Sequence, residues 1–167
     1  MPTPLTGSPD GRGRKVAIVV ARFNSEITDR LLAGALRGLA AAGVDDANIT
    51  VTSVPGAVEI PFAAQRIVGR NDAVIALGAV IRGETSHYDY VCDIVSNGVM
   101  RVMLDSGCPI AFGVLTCDTD AQALARAGDG DDNKGFEAAR VALEMADLTK
   151  KVSALGAPLS LGFGGRA

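Results

Sequence analysis

DAVIALGAVIRGETSHYDYVCDIVSNGVMRVMLDSG, residues 72–107, carries three signals in a row. Its first ten residues are almost continuously apolar and rich in Val and Ile, the composition of a strand buried on both faces. A short polar patch follows, Arg82, Gly83, Glu84, Thr85 and Ser86. From His87 onward the period changes. Val91, Ile94, Val95, Val99, Val102 and Met103 recur at helical spacing and define one buried side. The stretch reads as strand, tight loop, helix.

The same unit recurs on either side. Upstream, VAIVVA (16–21) is a short apolar strand. A helix follows it, with Ile27, Leu31, Leu32, Ala35, Leu36 and Leu39 on one stripe. Asn24 or Ser25 is placed to cap that helix, and Gly43 to end it. ITVTSVP (49–55) is a further strand, and the helix after it carries Pro61 in its first turn, where a missing N–H costs little. Downstream, PIAFGVLT (109–116) is a fourth strand. It leads into a short helix capped by Asp118, Thr119 or Asp120, and then into a long amphipathic helix from NKG onward. Strands alternating with helices mean a parallel sheet covered on both faces. The expected fold class is α/β, a three-layer α/β/α sandwich around a four-stranded parallel sheet. Residues 1–13 are rich in Pro, Gly and polar groups and are expected to be a flexible head. Residues 14–155 form a single domain, and 156–167 a frayed tail.

Composition excludes several functions. A net charge of −3 and the absence of a long basic cluster argue against nucleic-acid binding. No apolar run approaches the roughly 18 residues that span a bilayer. Three cysteines, Cys92, Cys108 and Cys117, lack CxxC spacing, and there is one histidine, so no zinc-ligand pattern forms. The simple reading is a reduced, cytoplasmic protein without metal.

In open parallel sheets ligands bind beyond the strand C-termini. The loops that follow the strands therefore hold the candidates. His87 stands at a helix start on that edge, and a histidine can give and take protons near neutrality. It could equally be a surface residue. Gly83, Glu84 and Thr85 enter a helix and could cradle an anion with backbone N–H groups, or simply cap it. Neither GxxxxGK[ST] nor GxGxxG is present, which removes the main support for a nucleotide. Glu84 would bring negative charge into an anion site unless its side chain points away. Arg126 and Lys134 could supply positive charge, or be solvated helix-end residues. Phe23 could stack on a flat heterocycle or fill the core. Glu59 could receive ring N–H groups or cap its helix.

ARFN (21–24), VPGAVEIP (54–61), GAVIRGETSHYDYV (78–91), FGVLT (112–116), RAG (126–128) and NKG (133–135) occur in that order across most of residues 15–150. Together they resemble the lumazine synthases, in full 6,7-dimethyl-8-ribityllumazine synthases. The resemblance implies a flavodoxin-like sandwich. It also implies condensation of 5-amino-6-(D-ribitylamino)uracil with 3,4-dihydroxy-2-butanone 4-phosphate, with no metal or organic cofactor. It assigns Phe23 to stacking on the pyrimidine, and Ala57, Val58 and Glu59 to the ribityl chain. Val80 and Ile81 would meet the uracil edge. Gly83, Glu84 and Thr85 would bind phosphate, with Arg126 as countercharge. His87 would shuttle protons, and Phe112 and Lys134 would complete the pocket. It further implies a homopentamer whose sites lie between subunits, so that Phe112, Arg126 and Lys134 come from the neighbour.

Some members close into icosahedral shells. The short loop AGDGDDN (127–133) is compatible with a shell, while its aspartates repel. Two further readings are a weakly catalytic lumazine- or flavin-binding homologue, and a shell that packages riboflavin synthase while still catalysing. A flavodoxin-like electron carrier would need a hydroxyl-rich loop after the first strand, which ARFNSE does not offer.

Overall fold

The computed structural model describes residues 1–156. The expected tail therefore lies, from residue 157 on, outside the described residues. Four strands form one sheet: β1 (Val16–Ala21), β2 (Ile49–Val54), β3 (Ala73–Ile81) and β4 (Ile110–Cys117). They lie in the order β2-β1-β3-β4, and every neighbouring pair is parallel. The α/β class expected from the alternation is the one observed.

Five α-helices connect and cover the strands: α1 (Ser25–Ala41), α2 (Ile60–Ile67), α3 (His87–Ser106), α4 (Asp120–Ala125) and α5 (Lys134–Ser153). Alternation along each strand divides the core. Val16, Ile18 and Val20 of β1, with Ile75 and Leu77 of β3, pack on Leu31, Leu39 and Leu143 of α1 and α5. Ala17, Val19 and Val74 face the other way, onto Ile60 of α2 and Val95 and Val99 of α3. Each fully buried Leu, Ile or Val contributes about 1.5–3 kcal/mol of transfer free energy. The two central strands, buried at every position but Ile81, are therefore the sheet's main anchor.

Glycines let α1 and α5 approach closely. A Cβ on Gly135 would run into the Leu31 carbonyl, and one on Gly34 into the Asn133 carboxamide. Small side chains at these two places bring the helix backbones together and leave room for a buried polar group.

Two local readings change and one is narrowed. Asn24 does occupy the position before α1, but its side chain does not cap the helix. It adopts left-handed backbone angles, φ 60 and ψ 48, which asparagine tolerates better than most residues. Its amide instead donates to the Ala79 carbonyl of β3 at 2.8 Å. Among the three candidate caps of α4, Thr119 serves: its hydroxyl accepts from the Gln122 N–H at 3.2 Å, and the Gln122 side chain accepts from the Thr119 N–H. Ile94, expected on the buried side of α3, is 48% exposed, whereas Val95, Val99 and Val102 are buried. One residue turns a helix by about 100°, so Ile94 leaves the stripe that Val95 centres.

The head lies against the domain from Thr6 onward. The Ser8 N–H donates to Asp147 at 2.9 Å, Arg14 pairs with the same carboxylate at 3.1 Å, and Lys151 donates to the Thr6 carbonyl at 2.8 Å. The Gly11 N–H donates to Ala42, just beyond α1, at 2.9 Å.

Candidate functional site

The strand order reverses direction between β1 and β3, since β2 lies to one side of β1 and β3 and β4 to the other. The loops leaving β1 and β3 diverge at such a point and leave a crevice. A cavity of about 530 Å³ opens there. Phe23 and Asn24 enter it from the end of β1. The turn Pro55–Glu59 enters from β2, and Ala79, Val80 and Ile81 from β3. Gly83, Thr85 and His87 close it from the start of α3.

Local chemistry fixes these pieces. The chain beyond β1 keeps pairing with β2: the Arg22 N–H donates to Val54 at 2.8 Å and the Phe23 N–H to Pro55 at 3.0 Å. With Asn24 tied to β3, the Phe23 backbone is held between two strands while its side chain stays 73% exposed. A large apolar ring left this open can take a planar ligand. Glu59 caps its own turn, since one carboxylate oxygen accepts from the Gly56 N–H at 2.9 Å. It also lines the cavity, so the capping reading holds and the residue stands where a ligand would reach it. The Thr85 hydroxyl accepts from the His87 N–H at 3.3 Å, tying the loop to the helix start.

Nine of the sequence candidates meet in this cavity: Phe23, Ala57, Val58, Glu59, Val80, Ile81, Gly83, Thr85 and His87. Glu84 is exposed and does not line it. The lining includes a carboxylate and no lysine or arginine. The nearby Arg82 is committed elsewhere. Its guanidinium bonds Asp118 at 2.8 Å and Asp89 at 3.4 Å, and lies 4.2 Å from the centre of the Tyr88 ring. The hydrogen bond to Asp118 pushes its pKa further up, and burial pushes the Tyr88 phenol above its ordinary value.

The other three candidates lie elsewhere. Phe112, Arg126 and Lys134 line a second cavity, of about 320 Å³, along the outer strand β4 and the start of α5. It shares no lining residue with the first and contains no histidine. Arg126 donates to the Gln122 carbonyl at 2.9 Å, and Lys134 pairs with Glu137 at 2.7 Å. Phe112 is 45% exposed in β4. The sequence candidates thus form two groups, one with an imidazole and one with the cations.

The sequence pattern of the 6,7-dimethyl-8-ribityllumazine synthase family matches residues 13–150. The chain belongs to that family. It is thereby one of the enzymes of riboflavin biosynthesis that act on small molecules. The matched segment takes in both cavities of this lumazine synthase family member.

Several contributors escaped sequence reading. Tyr88 and Val91 line the first cavity as the two helical residues beside and one turn beyond His87. Asn24 pins the Phe23 loop through a bond that only folding reveals. Glu137 lies three residues beyond Lys134, a spacing at which helical charges pair, so that contact had a readable signal. Among the described residues no group of three or more His, Cys, Asp or Glu could hold a metal ion. No helix among them is long and apolar enough to cross a membrane. The three cysteines are free, and burial raises each thiol, Cys108 to about 11.

Proposed function

We propose that this protein condenses 5-amino-6-(D-ribitylamino)uracil with 3,4-dihydroxy-2-butanone 4-phosphate to form 6,7-dimethyl-8-ribityllumazine, with loss of phosphate and water. The observation that carries the reading is the split between the cavities. Proton-transfer and anion-cradling groups line one, without a lysine or arginine; Arg126 and Lys134 line the other, without a histidine. A phosphorylated ketone reacting with an amine needs both sets. Two copies placed with the first cavity of one against the second cavity of its neighbour supply them. A closed ring makes every such contact the same, and we assign it five subunits because the resemblance to the family implies a homopentamer.

In this reading the pyrimidine stacks on Phe23, with its edge against the main chain of Val80 and Ile81. The ribityl chain runs along Ala57, Val58 and Glu59. The phosphate sits on Gly83, the backbone of Glu84, and Thr85, facing Arg126 and Lys134 of the adjoining subunit. This placement requires the exposed Glu84 carboxylate to point away from the phosphate. Phe112 of the neighbour closes the pocket.

His87 accepts and returns protons as the amine adds to the ketone, water leaves and the imine forms. It then assists removal of the proton that accompanies phosphate departure. Arg126 and the oriented N–H groups stabilise the charge that develops on the leaving phosphate. Holding two substrates in one pocket supplies much of the remaining acceleration. No step calls for a metal or an organic cofactor. Closure of the pentamers into an icosahedral shell, with riboflavin synthase packaged in it, is the further assembly reading, which the short loop 127–133 favours and its aspartates oppose.

The test is to mix purified protein with the two substrates and follow the lumazine by its absorbance and its mass. Saturating turnover is expected. A protein that binds the lumazine yet forms none in a single turnover would defeat the catalytic reading and leave a binding homologue. Light scattering at moderate ionic strength distinguishes pentamer from shell.

A further inference from the structure

Asn133 is 1% exposed, one of two buried polar residues among those described. A buried carboxamide is costly unless its hydrogen-bonding capacity is used. Here all of it is. Nδ2 donates to the Arg30 carbonyl of α1 at 3.1 Å and to the Gly128 carbonyl at 2.7 Å. Oδ1 accepts from the N–H groups of Gly135 at 2.8 Å and Phe136 at 3.2 Å. One side chain therefore joins three pieces: helix α1, the loop just after Arg126, and the first turn of α5, which begins at Lys134. The main chain adds a fourth tie, from the Lys134 N–H to the Arg126 carbonyl at 2.9 Å.

The two accepted bonds cap α5, and many N-cap residues do that much. The two donated bonds go beyond capping. They fix the loop 126–133 against α1 and so set where the Arg126 and Lys134 backbones stand relative to each other. The bare Gly34 leaves the space this carboxamide occupies.

The geometry points to Asn133 as a positioning residue for the cationic half of the site. It holds Arg126 and Lys134 at the separation at which both address one phosphate group on the neighbouring subunit. This rests on the proposed reaction and extends it to a residue that touches no substrate. The cations need such support because the side-chain contacts of each, to a carbonyl and to Glu137, are flexible.

Asn133→Ser separates the two roles, because serine still caps a helix but cannot span to both carbonyls. Steady-state kinetics should show the KM for the phosphorylated ketone rising about tenfold, the size of one weakened charge-assisted hydrogen bond. The KM for the pyrimidine amine should stay within about twofold, since uniform damage would raise both. Titration with inorganic phosphate should show the same loss of affinity as the ketone. Equal rises for both substrates, or unchanged phosphate affinity, would overturn the assignment. If Asn133→Ser does not assemble, Asn133→Thr serves: its hydroxyl also caps a helix and cannot span to both carbonyls, and unchanged phosphate affinity there overturns the assignment. Wild-type protein that forms no lumazine would sink the proposed reaction instead, while the phosphate titrations of wild type and variant still decide the role of Asn133.

Discussion

The two cavities of this chain are built by opposite means. The first lies where strand order reverses, and three strand ends feed it, so backbone hydrogen bonds hold most of its wall. Its surface is main chain together with the Phe23 and Tyr88 rings, the Glu59 carboxylate, the Thr85 hydroxyl and one imidazole. The second runs along the outer strand β4 and depends on a loop and a helix start. Its charged groups are Arg126, Lys134 and Glu137, carried on a loop and a helix start that the buried Asn133 ties to α1. A pocket at a switch point comes with the topology, whereas a charged pocket on a sheet edge must be secured by specific side chains. In the proposed reaction the first would provide shape and proton transfer and the second charge, so that each would need the other.

The largest expected effect tests the charge. Arg126→Ala should lower kcat/KM by about a thousandfold, because the departing phosphate loses its main countercharge. His87→Ala should slow turnover by about a hundredfold without abolishing it, as removal of a proton-transfer group from an otherwise intact pocket does. Co-refolding these two variants in equal amounts sharpens the comparison. If the cavities face each other across subunits, about one quarter of the contacts in a random cyclic mixture pair two intact halves. Activity should then recover to about that fraction of wild type. No recovery would mean that both groups act within one chain, and the two-cavity reading would break. Phe23→Ala should act on one substrate only, raising the KM for the pyrimidine amine by about three- to tenfold in the same assay.

The smallest effect lies outside both cavities. Hydrogen bonds from Lys151 and from the Ser8 N–H hold the Asp147 carboxyl below its ordinary range. A carboxylate with a lowered folded-state pKa stabilises fully above its unfolded value of about 3.9, and that contribution fades as pH falls through the folded value. Amide exchange should therefore show Ser8 losing protection in acid below about pH 4, with the Gly11 amide, bonded to a carbonyl, keeping its own. Asp147→Asn should remove the difference and leave turnover at neutral pH unchanged. A turnover loss in this variant would tie the head to one of the cavities.

Much of the fold could be read before any contact was seen. The runs VAIVVA and AVIALGAVI are apolar throughout, as only strands covered on both faces are. The candidate residues were legible because strand ends at one edge of a parallel sheet are where ligands bind, and because the motifs recur in a known family. What was hidden depends on neighbours distant in sequence. The side chain of Asn24 reads as a cap until the Ala79 carbonyl appears beside it. Asn133 reads only as the first residue of the last helical stretch until the Arg30 and Gly128 carbonyls appear beside it. Ile94 reads as core because a stripe's width cannot be judged without the surface it meets.

Local sequence, through hydrophobic period and turn residues, determined which segments are strands and helices and which residue types stand at the strand ends. That is possible because period and backbone preference act between residues a few positions apart. Only the tertiary structure decided that these residues divide into two cavities, with His87 in one and Arg126 and Lys134 in the other. That division follows from strand order and from long-range hydrogen bonds, which join groups whose separation along the chain says nothing about their distance in space.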